Sequence, residues 1–164
     1  SKIDMEKVKL LGLLNEDRGG AAVGIYANKT VSKTIKSYYH LLQQDDFPKK
    51  AKGIALNHSR KSSSGGNNIL NAQPLMVDDD VFVLNGTVKN INTLEIITGI
   101  EEEQLDNDTA YLFRLMRAGN TEWLKYYTGG ATFVYRHKTK TTFWVGAANG
   151  EVERPLSFCY VILC

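Results

Sequence analysis

The sequence predicts one mixed α+β domain in which helices pack on layered sheets. Two observations lead there. The apolar residues change period along the chain, in the order helix, strands, helices, strands, which is the pattern of an α+β fold. The 164 residues are 43 % hydrophobic and 23 % charged, so a core of ordinary size forms without disulfides or metals, and no repeat, linker or low-complexity tract divides the chain.

Asp4 is placed to cap a first helix running to about Leu14, with Met5, Val8, Leu11 and Leu14 on one stripe. Asn15 to Gly20 reads as a polar turn and Ala21 to Ala27 as a strand. Thr34 to Gln44 fits a helix or an ordered loop, ended by Pro48 and the lysines after it. Gly53 to His58 and Val81 to Leu84 read as buried strands, and the Ser, Gly and Asn of Lys61 to Asn68 as a loop. Asn92 or Thr93 caps a short helix, Asp108 or Thr109 opens another with Tyr111, Leu112, Leu115 and Met116 on its apolar side, and a further helix covers Thr121 to Tyr127. Ala131 to Arg136, Thr141 to Ala147 and Leu156 to Leu163 then predict a meander of strands, with turns at Lys138-Thr139-Lys140 and Asn149-Gly150.

Composition narrows the function classes. The net charge is +2 and the basic residues are scattered, apart from Lys49-Lys50-Ala51-Lys52, which reads as a solvated loop; nucleic acid is not an expected partner. No apolar run reaches the length of a membrane span and no signal-peptide pattern opens the chain, so the expected location is cytoplasmic, without a membrane partner. The two cysteines, Cys159 and Cys164, make no disulfide framework, and the three histidines lack metal-ligand spacing. Neither a metal nor a cofactor is expected.

Three segments place polar residues where a buried element ends. Asn57-His58-Ser59-Arg60, with Ser63-Ser64-Gly65 behind it, offers a guanidinium fork for a carboxylate and hydroxyl donors beside it. Leu84-Asn85-Gly86-Thr87 sets an amide side chain next to a glycine N–H, and both can point at one oxyanion. Asp106-Asn107-Asp108-Thr109 puts carboxylates at a helix start, where they cap the helix or accept from an ammonium group. Taken singly, a strand-end arginine is more often a salt-bridge partner, Asn-Gly a plain turn, and the aspartate a cap. Taken together, they describe a pocket for an α-amino acid whose side-chain carbonyl is attacked.

This ordered set resembles the glutaminase domain of class II glutamine amidotransferases. That family shows His-Thr-Arg, Thr-X-Gly, Asn-Ala-His-Pro, Asn-Gly with a following Asn, and Ser-Asp-Thr/Ser-Glu. This chain has His58-Ser59-Arg60, Ser63-Ser64-Gly65, Asn71-Ala72-Gln73-Pro74, Asn85-Gly86 with Asn90, and Asn107-Asp108-Thr109-Ala110. Arg18-Gly19-Gly20-Ala21-Ala22-Val23-Gly24 echoes the family's Arg-Gly-X-Asp-Ser-X-Gly, and Glu153-Arg154-Pro155-Leu156 its Arg-Pro-Leu segment, so the match spans nearly the whole chain.

The resemblance implies the fold of an N-terminal-nucleophile (Ntn) hydrolase, a four-layer α-β-β-α sandwich with mainly antiparallel sheets. It implies L-glutamine as ligand. Arg60 would hold the α-carboxylate, helped by Ser63 or Ser64; Asp108 would hold the α-ammonium; Asn85 and the Gly86 N–H would form the oxyanion hole. In the family a cysteine at the mature amino terminus attacks the side-chain amide with its own α-amine as base, and the ammonia released passes to an acceptor domain or subunit. Here that cysteine is absent. The expectation is a strand of about 5–10 residues missing ahead of Ser1, and Ser1 stands too near the first helix to replace the nucleophile. Ala21 and Ala22 also stand where the family has Asp-Ser. The binding half of the site is retained and the chemical half is not. The reading is therefore a glutaminase-type domain, inactive in this form, with a non-catalytic Ntn-fold binding or structural module in a larger assembly as its alternative. A nucleic-acid-binding or plain scaffold domain ranks last.

Overall fold

The computed structural model describes residues 2–61, 68–103, 107–119, 121–147 and 159–163. Its first helix, α1 (Met5–Gly19), starts at Asp4, whose carboxylate accepts the Glu6 and Lys7 N–H groups at 3.1 and 3.2 Å. The helix outlasts its apolar stripe. The polar stretch from Asn15 on continues it instead of turning, and Asn15 donates back to the Leu11 carbonyl at 2.6 Å. Met5 and Val8 are buried, but Leu14 is 65 % exposed, so only the first half of the stripe reaches a core.

Two antiparallel four-stranded sheets follow. In the first, β2 (Ala22–Ala27) forms a hairpin with β3 (Thr30–Thr34) and pairs on its other side with β5 (Ile54–Arg60), which in turn pairs with β10 (Cys159–Leu163). The sequence reading lacks β3, because Thr30 to Thr34 has no apolar alternation. The hairpin's signal lies in its turn: Asn28 and Lys29 both have positive φ, the conformation a tight two-residue hairpin requires. The second sheet runs β6 (Leu75–Val77), β7 (Asp80–Gly86), β8 (Gly130–His137), β9 (Lys140–Ala147). A separate short ladder pairs β1 (Lys2–Ile3) with β4 (Ala51–Lys52), so half of the lysine-rich segment expected as a loop is strand, with Ala51 buried.

The last strands are not one meander. β8 and β9 form a hairpin, but β10 crosses to the first sheet and covers the edge of β5 that β2 leaves open. The Asn149-Gly150 turn and the Arg154-Pro155-Leu156 segment lie outside the described residues.

Four further helical segments occur among the described residues: α2 (Tyr38–Leu42), α3 (Ile91–Thr98), α4 (Asp108–Arg117) and a 3-10 turn, Glu122–Lys125, where a longer helix was expected. Asn107 caps α4, accepting the Ala110 N–H at 2.9 Å, which leaves Asp108 as the first helical residue. None of the described helices is long and apolar enough to cross a membrane.

Strand alternation sorts the core. Val23, Ile25 and Ala27 of β2 pack with Met5 and Val8 of α1 and with Tyr38 and Leu41 of α2. Phe82, Leu84 and Phe133 of the second sheet pack with Leu112, Leu115 and Met116 of α4. A third cluster joins the two sheets: Tyr26, Ile54 and Leu56 from the first, Val81, Val83 and Val134 from the second. The period-2 rule then puts His58 and Arg60 on the same face of β5 as Ile54 and Leu56, and Asn85 on the same face of β7 as Val81 and Val83. Both strands thus run from apolar to polar along the gap between the sheets.

Candidate functional site

The start of α4 is bonded to the chain just beyond β7. Asp108 accepts the Thr109 N–H at 2.9 Å through one carboxylate oxygen and the Val88 N–H at 3.3 Å through the other. It therefore sits between the helix and the chain just beyond Gly86. Burial pushes its carboxyl above the usual carboxylate range, against the pull of those two N–H groups and of the Arg60 charge.

Arg60 is 7 % exposed. Burial lowers its hold on its proton and the Asp108 carboxylate restores part of it. Each of the two groups shifts the other's ionisation, so β5 and α4 deliver a cation and an anion to one neighbourhood. Arg60 is buried and Asp108 half-buried, so burial works against the charge of each while the other's charge favours it.

Asn85, 7 % exposed, ends β7 and faces Thr132 of β8 in register. Gly86 follows with φ at +153°, and a Cβ there would lie 2.3 Å from the Gly130 carbonyl oxygen. Only glycine fits that position. The Thr87 N–H donates to the Gly130 carbonyl at 3.2 Å. With Gly86 opposite Ala131, the alternation of an antiparallel ladder turns the Gly86 N–H away from β8, to the same edge as the Leu84 N–H.

The segment Asn71-Ala72-Gln73-Pro74 braces these parts. The Gln73 side-chain oxygen accepts the Leu84 N–H at 2.7 Å, and its amide nitrogen donates to the Thr109 hydroxyl at 3.3 Å. Asn107 donates to the Asn71 side-chain oxygen at 2.8 Å. All four polar side chains are buried. Gly24 of β2 lets this segment lie close, since a Cβ there would be 2.3 Å from the Gln73 carbonyl oxygen. A Cβ at Gly19, at the end of α1, would likewise lie 2.4 Å from the Ser59 carbonyl oxygen. The bracing role of Asn71, Gln73 and Thr109 is absent from the sequence reading. Its signal is two polar residues at alternate positions beside a proline, in a stretch otherwise headed for burial.

Other expected residues fall elsewhere. Ser63 and Ser64 lie outside the described residues. Asn90 is engaged in structure: it donates to the Tyr126 carbonyl at 2.8 Å and accepts the Thr128 N–H at 2.9 Å. His58 is fully enclosed, and neither ring nitrogen reaches a partner at hydrogen-bonding geometry. Burial above all holds it down to about 4; the nearby Leu84 carbonyl opposes the shift and the Arg60 charge adds to it. Ala22, opposite Arg60 in the β2–β5 register, is fully buried. Among the described residues no group of three or more His, Cys, Asp or Glu side chains could hold a metal ion.

Solved structures share this architecture. Glutamine phosphoribosylpyrophosphate amidotransferase from B. subtilis, complexed with ADP and GMP, superposes with a TM-score of 0.65 at 22 % identity, over 92 % of this chain and 37 % of its own. A structure described as the allosteric regulatory enzyme of purine biosynthesis superposes with a TM-score of 0.63 at 22 % identity, over 87 % of this chain and 34 % of its own. The likeness is one of fold. The chain spans about a third of the length of either protein. No family model matches the sequence, and no curated protein matches it.

Proposed function

We propose that the gap between the two sheets binds L-glutamine, as the binding half of a glutaminase domain of the class II, Ntn-hydrolase type. The supporting observation is the Val88 N–H bond to half-buried Asp108, which sets that carboxylate next to the chain just beyond Gly86, with buried Arg60 near enough for the two charges to act on one another. In this reading Arg60 takes the α-carboxylate, with Ser63 or Ser64 as a further donor. Asp108 takes the α-ammonium. Asn85 and the Gly86 N–H meet the side-chain carbonyl oxygen, where negative charge develops during amide attack. The three apolar clusters are consistent with a four-layer α-β-β-α arrangement of the whole domain. The location remains cytoplasmic in this proposal, and the consumer of ammonia is a domain or subunit on another chain.

The residues in this reading bind glutamine and include no nucleophile, so the proposal is for glutamine binding without ammonia release. A second reading, a non-catalytic binding module, draws support from Ala22, which brings no polar side chain opposite Arg60. Thermal melting with millimolar L-glutamine tests the proposal: the melting temperature rises in the unaltered chain and stays put in Arg60→Ala. Absence of any rise removes the glutamine reading, and ammonia release above background overturns the inactivity.

A further inference from the structure

We infer that Gln73 is a positioning residue that locks the amine-binding carboxylate of Asp108 to the oxyanion strand β7, through a relay from the Leu84 N–H to Gln73 to the Thr109 hydroxyl. The inference rests on the glutamine reading above and names what makes its site selective for a ligand carrying an α-ammonium group.

The geometry is continuous. Gln73 is 4 % exposed and uses both ends of its amide: the oxygen on the backbone of β7 at 2.7 Å, the nitrogen on Thr109 at 3.3 Å. A hydroxyl that accepts from Gln73 has its own proton left to donate, and the Thr109 hydroxyl acts on the Asp108 carboxylate. Thr109 also gives Asp108 its backbone N–H, at 2.9 Å. The parallel link from Asn71 to Asn107, at 2.8 Å, holds the residue on the other side of Asp108. Asp108 is thus flanked by two residues that the segment 71–73 grips, while the same segment grips β7 two residues before Gly86. Gln73 is the member that touches both sides.

Such a link has a specific consequence. Loss of Gln73 leaves the Asp108–Val88 bond to hold the α4 start on its own, and loosens the distance between the ammonium acceptor and the amide-oxygen donors. Any general weakening of β7 affects every ligand that carries the side-chain amide. Misplacement of Asp108 affects only a ligand with an amine. The ratio of two affinities separates them.

The test is calorimetric titration of the chain with L-glutamine and with its deamino analogue, 4-carbamoylbutanoate. The unaltered chain prefers glutamine by about tenfold or more, the worth of one charge-assisted contact. In Gln73→Met, which keeps the volume and removes both hydrogen bonds, this preference falls to about threefold or less. Thr109→Val cuts the relay at its other end and gives the same loss if the Gln73 variant fails to fold. Leu41→Ala, in the core beneath α1 and α2, lowers the melting temperature and keeps the preference. Full preference retained in folded Gln73→Met or Thr109→Val overturns the inference while leaving the glutamine reading intact. Absence of glutamine binding in the unaltered chain removes that reading, and the inference with it.

Discussion

Asp108 accepts the backbone N–H of Val88 at 3.3 Å, and this one bond ties the first turn of α4 to the chain two residues beyond Gly86. The carboxylate that would hold an ammonium and the N–H that would hold an oxyanion are therefore parts of one braced unit. Thr87, between them, is fixed as well: its carbonyl accepts the Tyr127 hydroxyl at 2.9 Å. Burial and the Asp108 charge beside it push that phenol's proton affinity up, so it remains a donor.

The Asp108 carboxyl is raised in the folded chain by burial. The folded state therefore takes up this proton at higher pH than the unfolded state does. On its own, Asp108 makes the fold more stable as pH falls from its raised folded value to the ordinary one. In the proposed site glutamine binding would have the opposite dependence, because the ammonium needs the ionised form. Affinity measured by titration falls on acidification at a pH above the usual carboxylate range. In Asp108→Asn binding is weak throughout and that pH dependence is gone.

Arg60 and Asp108 support one another's charged forms. Replacing Arg60 with Met removes the cation and leaves the carboxylate buried among its remaining donors. Carboxyl carbon chemical shifts followed through a pH titration will place the Asp108 midpoint higher in Arg60→Met than in the unaltered chain. An unchanged midpoint would mean that the two groups do not share a site.

Gly86 has no room for a side chain and a φ of +153° that other residues rarely adopt. Gly86→Ala costs about 2 kcal/mol or more of folding stability in urea unfolding. A stability within about 0.5 kcal/mol of the unaltered chain would show that the backbone here is not held in the described conformation.

His58 gives a stability signature of opposite sign to that of Asp108. Its folded proton affinity is held down to about 4 by burial, while the unfolded imidazole titrates near its ordinary value. The folded state binds fewer protons between these limits, so stability is lost as pH falls from about 6.5 toward 4, up to the order of 3 kcal/mol. His58→Leu flattens that segment of the stability curve. A slope that persists in the variant assigns it to another group.

The strands that carry the site were legible because their apolar runs end in polar residues. Gly-Ile-Ala-Leu before His58 and Val-Phe-Val-Leu before Asn85 announce buried strands, and strand period alone then puts Arg60 and Asn85 on facing surfaces. Asp108 was legible as a helix start, although Asn107 makes the cap. Three features escaped. β3 has buried Ser32 and Thr34 in place of apolar residues, and its serine is satisfied by the Asp46 carbonyl at 2.7 Å, a partner no local pattern reveals. The crossing of β10 to β5 is a long-range pairing, and the hairpin turns nearby favoured a meander. The Gln73 brace joins Leu84 and Thr109 across segments far apart in sequence, so only the folded chain shows it.

In the proposed site Arg60, Gly86 and Asp108 embrace one amino acid. The most direct measurement is a proton–nitrogen correlation spectrum of the chain titrated with L-glutamine. The Arg60 Nε–H and the Gly86 and Val88 amide signals are expected to move together along one saturable curve. Signals that stay fixed at millimolar glutamine, or that move only at residues remote from these three, would contradict it.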